Sequence, residues 1–215
     1  MTTVYIAFAV VGWIGFFWLL YCRLLDVKQR RAMANNQRTP AQIFESLSDE
    51  ERRLMAYHEA GHAVVSMYMP QREPLLKVTI IPSELGFGAM QTQPRMQFNS
   101  TIVSMSSSVA VLLAGRLAEE LFCNETTTSA YNDFIQANQI AREMVVRFGM
   151  GTKSRFFIAD DRASEAFRRQ ADEDVMEILN NAQAEALKIL KEHADDVHQI
   201  AKELLEKGTI EIKEN

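Results

Sequence analysis

Residues 48–70 read SDEERRLMAYHEAGHAVVSMYMP, and the architecture of the chain turns on whether they form a helix. Ser48 followed three residues later by Glu51 has the capping-box pattern, and no proline intervenes before Pro70, so a helix is expected over 48–69. On that helix His58 and His62 fall one turn apart, where both imidazoles can close on a single metal ion. Glu59 then lies beside a water in such a site, where a carboxylate can take its proton. Gly61 costs roughly 1 kcal/mol relative to Ala inside a helix, which predicts that something packs closely against the backbone there. The competing reading is a core helix with two hydrogen-bonded histidines. Two His and one Glu at this spacing fit metal-assisted hydrolysis better.

The rest of the chain sets the context. At 215 residues, with 47% hydrophobic and 24% charged residues, it can bury one sizeable core. Thr2 to Cys22 contains no charged residue, about the length of a bilayer-spanning helix. A cleaved signal peptide would carry basic residues ahead of the apolar run, and none is present. A lipoprotein signal would place a small residue before the cysteine, where Tyr21 stands. A buried core helix with Trp13, Trp18 and no polar face is unfavourable. Arg23, Lys28, Arg30 and Arg31 follow the run and none precedes it, so the expected topology is a single-pass anchor in the cell membrane with the C-terminal part cytoplasmic. The basic cluster would face anionic lipid headgroups of the bilayer. Cys22 and Cys123 form neither a disulfide framework nor a zinc spacing. A net charge of −5 speaks against nucleic acid as a partner.

The expected organisation is an anchor over 1–22, a polar connection over 23–47, a reactive domain over 48–210 and a tail over 211–215. Leu75 to Pro82 reads as a strand, Ser83 to Gly86 as a turn, and Phe87 to Thr92 as a partner strand. An edge of this small sheet either aligns an extended peptide by main-chain pairing or only covers the core. Further helices are expected over Ser100–Phe122, Asn132–Phe148 with Gly149 as its cap, 162–192 and 194–207. The fold class is therefore mainly α with a small β-hairpin, preceded by one transmembrane helix. Arg116 can pair with Glu119 or Glu120. His193 and His198 lack a ligand pattern and read as packing residues, and the eleven methionines as core filler.

Catalytic zinc takes three protein ligands and leaves one position open. Val65 and Tyr68 stand where an extended metzincin pattern would need Gly and His, so the third ligand lies elsewhere. Glu84, Glu119, Glu120 and Asp133 are the candidates. Asp133 follows a Thr/Ser-rich turn, Thr126 to Asn132, that could aim it into a site; its alternative role is a first-turn acid or helix cap.

Several segments in one order resemble the peptidase domain of the FtsH family. They are Tyr57-His58-Glu59-Ala60-Gly61-His62-Ala63, Lys77 to Pro82, Ala114 to Glu120, Asn132-Asp133, Ala141 to Val145 and Phe148-Gly149-Met150, continuing through Leu204 to Ile210. The resemblance covers roughly 48–210. It implies one Zn2+ held by His58, His62 and Asp133, with Glu59 as the catalytic carboxylate. It also implies a strand at Gly88-Ala89-Met90 lining the substrate groove, and homo-oligomeric, hexameric rings. Three departures stand out. The family pattern Ser-Thr-Gly-Ala-Ser is here Thr127-Thr128-Ser129-Ala130-Tyr131, which bears on how Asp133 approaches the metal. Ala114 replaces the first of two glycines. No G-x-x-x-x-G-K-[ST] phosphate loop occurs in these 215 residues. The expected function is a membrane-anchored, ATP-independent zinc metalloendopeptidase acting on unfolded or membrane-proximal proteins. The alternatives are an inactive FtsH-like scaffold, or a proteolytic subunit served by a separate AAA+ ATPase.

Overall fold

The computed structural model describes residues 40–70, 74–81, 89–92, 99–155 and 163–212. The chain divides into two compact units, 1–42 and 43–215. The expected anchor over 1–22, residues 23–39 of the connection, Gly88 and Glu84 lie outside the described residues. Within the connection, Pro40–Ser46 form a short helix α1, as suits Pro at a first helical position. Arg52 lies 5.1 Å over the Phe44 ring.

Helix α2 runs from Asp49 to Tyr68 with Ser48 as its N-cap, and both halves of the expected capping box are formed. It is followed by β1 (Leu75–Thr79) and β2 (Ala89–Thr92), then α3 (Ile102–Ala118), which passes directly into a π-helical turn, Glu119–Cys123. Next come α4 (Tyr131–Val146), α5 (Glu165–Glu192) and α6 (Ala194–Lys207), and the chain closes on a third strand, β3 (Thr209–Glu211). The molecule is thus mainly helical with a small antiparallel sheet of order β2-β1-β3.

The third strand was not expected from sequence. Three residues are too few to show alternation, and β3 exists because Gly208, at φ +70°, turns the chain back from α6. Val78 then faces Met90 on one side and Ile210 on the other. The expected tail contributes to this sheet: Glu211 pairs with Lys77, and the Ile212 N–H donates to the Leu76 carbonyl at 2.9 Å.

The core is built where α2, α3, α5 and α6 meet, and the contact faces are rich in alanine. Ala56, Ala60 and Ala63 of α2, Ala110, Ala114 and Ala118 of α3, Ala186 of α5 and Ala201 of α6 are fully buried. Such small side chains let helix backbones approach closely. At Gly61 the approach reaches its limit, since a Cβ there would lie 2.6 Å from both the Ala114 carbonyl oxygen and the Ala118 Cβ. This is the close packing that a glycine inside α2 foretold.

Among the described residues one helix, Ile102–Cys123, is long and apolar enough to cross a membrane. It serves here as the central core helix, packed against α2, α4 and α5.

The α4–α5 connection is pinned by a buried carboxylate on α5. Asp174 accepts hydrogen bonds from the Thr152 hydroxyl at 2.9 Å, from the Lys153 and Ser154 N–H groups at 3.0 and 2.8 Å, and from the Ser154 hydroxyl. Burial pushes its pKa up, but the hydrogen bonds from Ser154, Lys153 and Thr152 outweigh it and hold the group at about 2. The folded value lies below the unfolded value of about 3.9, so the stabilisation is present at neutral pH and is lost as pH falls from about 4 towards about 2. Asp174→Asn should therefore destabilise by about 1–3 kcal/mol at pH 7. Urea denaturation at pH 7 and at pH 3 checks this, and the gap between variant and native chain should narrow at the lower pH.

Candidate metal centre

The two histidines emerge from the most buried stretch of α2, and their ring nitrogens converge. His58 Nε2 and His62 Nε2 lie 3.0 Å apart. Asp133, in the first turn of α4, brings Oδ2 to 3.3 Å from His58 Nε2 and 3.6 Å from His62 Nε2. Among the described residues this is the group of His, Cys, Asp and Glu side chains able to hold a metal ion, with donor atoms all within 4.8 Å of one another. Two imidazoles and one carboxylate form a borderline-soft donor set of the kind that suits zinc. The Gly-less turn before Asp133 therefore still delivers its carboxylate to the histidine pair. Ala130 stands at the helix cap without a side-chain bond, so Asp133 is a first-turn acid directed into the site.

Each imidazole is fixed by its other nitrogen. His62 Nδ1 lies 2.7 Å from the Val111 carbonyl oxygen, which makes Nδ1 the donor and leaves Nε2 free to ligate. His58 Nδ1 lies 2.7 Å from Glu119 Oε1. Glu119 is fully buried and accepts further bonds from the Thr127 N–H at 2.8 Å, the Thr127 hydroxyl at 3.0 Å and the Ser129 hydroxyl at 2.8 Å. Outer partners of this kind hold a ligand's tautomer and orientation. Gly115 provides the room: a Cβ there would meet His62 Nε2 at 2.5 Å and His58 Nε2 at 2.6 Å.

Peptidase family M41 matches residues 45–215. The chain belongs to that family. Among curated relatives, the ATP-dependent zinc metalloprotease FtsH of Cupriavidus metallidurans is 34% identical over 182 residues, covering 78% of this chain and 28% of that protein. FtsH 2 of Sphaerobacter thermophilus is 35% identical over 209 residues, covering 89% and 32%. The mouse mitochondrial inner membrane m-AAA protease component AFG3L2 is 34% identical over 175 residues, covering 77% and 22%. The chain thus spans roughly a quarter to a third of the length of these relatives.

In this M41 chain two of the other acids that the sequence offered, Glu119 and Glu120, make different contacts. Glu119 supports His58 rather than joining the three-donor group, and Glu120 pairs with Arg116 at 3.1 Å on the exposed side. Arg116 also donates to the Thr127 carbonyl at 2.7 Å, tying down the turn that leads to Asp133. His198 shares a hydrogen bond with the Tyr57 hydroxyl at 2.9 Å, and His193 stacks on Tyr68. Both are packing residues, as their sequence surroundings implied. Sequence reasoning missed the supporting role of Glu119 and the space supplied by Gly115. Their adjacency to the histidines arises only when α3 crosses α2.

The electrostatics follow from burial and neighbours. Burial pulls the His58 pKa down, but hydrogen bonds that the ring donates to Asp133 and Glu119 outweigh it and push the group up to about 9. Asp133 is pushed up by burial yet held far below the carboxylate range by His58 and His62. Glu59, nearly buried, is raised, chiefly by burial and against the pull of His62 and His58. Without metal, a proton on His58 sits within the donor group, and a cation must displace it. Zinc affinity should therefore weaken about tenfold per pH unit below pH 9 if one proton is released. Chelator competition between pH 6 and 8 measures this, and a flat profile would contradict it.

Proposed function

We propose that this chain is a zinc metalloendopeptidase in which His58, His62 and Asp133 hold the metal and Glu59 is the catalytic carboxylate. The observation that carries the reading is the convergence of three donor atoms around one point, with a nearly buried glutamate adjoining the first histidine. Zinc, when bound, polarises the scissile carbonyl and lowers the pKa of water towards about 7. Glu59 takes the proton from the attacking water and passes it to the leaving amine nitrogen as the peptide bond breaks. Its raised pKa suits both halves of that task, since a base poised nearer neutrality also returns the proton readily. Glu119 holds the His58 ring so that Nε2 faces the metal.

The centre opens into a cleft of about 780 Å3, lined also by Ala89 and Met90 of β2 and by Leu54, Met55 and Leu112. β2 is one of the two outer strands of the described sheet, which supports binding an extended segment by main-chain pairing. Substrates on this reading are unfolded or flexible proteins, and cleavage needs no nucleotide. Anchoring through residues 1–22 places the domain, spanning 48–210, at the cytoplasmic face of the cell membrane, with membrane-proximal proteins within reach. Assembly into a homo-oligomeric, hexameric ring belongs to the same reading. A proteolytic subunit fed by a separate AAA+ ATPase is the alternative.

The purified, zinc-loaded chain should cleave casein without ATP and leave a stably folded reporter intact. Degradation of the folded reporter would contradict the substrate reading. Casein cleavage that appears only with ATP and an added ATPase would favour the partnered version.

A further inference from the structure

We propose that Tyr131 determines substrate specificity, its ring forming one side of the cleft mouth and holding a large apolar side chain of the bound polypeptide. The inference rests on the peptidase reading above and extends it to the substrate's side chain.

Three tyrosines lie among the described residues, and the fold employs two of them. Tyr57 has its hydroxyl 2.9 Å from His198 Nδ1 and its ring stacked on Phe122. Tyr68 donates its hydroxyl to Asp196 at 2.8 Å and stacks on His193. The side chain of Tyr131 has no comparable hydroxyl or ring partner among the described residues, and the residue is 69% exposed. Its backbone N–H donates to the Thr128 carbonyl, a bond that any residue other than proline would make. Among the described residues nothing in the helix or the core calls for an aromatic side chain here.

The place of the ring gives it a use. Tyr131 lines the same cleft as His58, Glu59 and Asp133, and it precedes Asp133 by two residues in the first turn of α4. Leu54, Met55, Met90 and Leu112 give this cleft an apolar part, while the turn and α4 around Tyr131 contribute polar side chains, Thr128, Asn132 and Gln136 among them, so Tyr131 is, besides the two histidines, the one aromatic face among the described lining residues. Tyr131 thus sets a broad, rigid ring face, open to solvent, along the wall of the cleft. An aromatic ring offers large contact area at little entropic cost, and a ring pair adds about 0.5–1.5 kcal/mol beyond burial, or roughly a two- to tenfold preference. The ring face carries that contact, so the hydroxyl is dispensable.

The test separates binding from cleavage by using the zinc-loaded Glu59→Gln chain as the parent. Fluorescein-labelled unstructured peptides carrying one central Phe, or Ala in its place, are titrated by anisotropy. The parent should bind the Phe peptide about tenfold more tightly. Adding Tyr131→Ser should shrink the ratio to about twofold or less at equal zinc content, and adding Tyr131→Phe should preserve it. A parent that does not discriminate, or a ratio unchanged by Tyr131→Ser, overturns the proposal. If the unmodified chain cleaves casein no faster than Glu59→Gln while the discrimination survives, the peptidase reading falls and the role of Tyr131 stands. If casein is cleaved and the ratio ignores Tyr131, the reverse holds.

Discussion

Glu59→Gln should retain one zinc per chain and lose casein cleavage by about 10²–10⁴-fold. The substitution keeps shape and hydrogen-bonding reach but removes the ability to accept a proton. Glu59 lies outside the three-donor group of His58, His62 and Asp133, so the metal should stay. The two readouts are zinc by elemental analysis and peptide release from casein, and together they divide the active from the inactive reading. Equal cleavage by variant and native chain would exclude Glu59 as the base. No cleavage by either, with zinc bound in both, would favour an FtsH-like scaffold.

Gly115→Ala should bring about a comparable loss by a different route. The added methyl would fall 2.5 Å from His62 Nε2 and 2.6 Å from His58 Nε2, atoms at the far ends of side chains that can swing away. The imidazoles then leave the metal position while the helices stay packed. Zinc affinity should drop by about a hundredfold or more, in line with the 10–100-fold seen when only outer partners of ligands are lost. The metal-free protein should lose about 1 kcal/mol for each Nδ1 bond, to Glu119 or Val111, that a turning ring gives up. Gly61→Ala is the natural contrast, because its methyl would strike the Ala114 backbone and the Ala118 Cβ. That substitution should cost about 1–3 kcal/mol of stability through overpacking. A Gly115→Ala chain that binds zinc normally would mean that the histidines occupy other positions when the metal is bound.

These two glycines show how unevenly sequence reports on structure. Gly61 announced itself, since it interrupts a capped helix next to His62 and demands an explanation. Gly115 sits in the apolar run of α3, where only the crossing of α2 reveals what it faces. The capping box, the histidine spacing and the stop at Pro70 are local signals, so α2 was legible to within a residue at either end. Asp133 was one of four acids by spacing and was distinguished by family resemblance. Its aim depends on the turn 127–130, which Glu119 and Arg116 hold from α3 and the π-helical turn. Glu119 itself was legible as a local partner for Arg116 and as one of those four acids, and not as a support for His58. Strand β3 and the Asp174 anchor were illegible for a related reason: each depends on contacts about 20 to 130 residues apart, which no periodicity records.

The central claim is that one metal is shared by His58, His62 and Asp133, and X-ray diffraction from zinc-loaded crystals at the zinc absorption edge tests it most directly. A single anomalous peak per chain is expected, about 2.0–2.2 Å from His58 Nε2, His62 Nε2 and an Asp133 carboxylate oxygen, with Glu119 off the metal and bonded to Nδ1 on the far side of His58. A peak ligated by Glu119 in place of Asp133, or no peak between the two histidines, would contradict it.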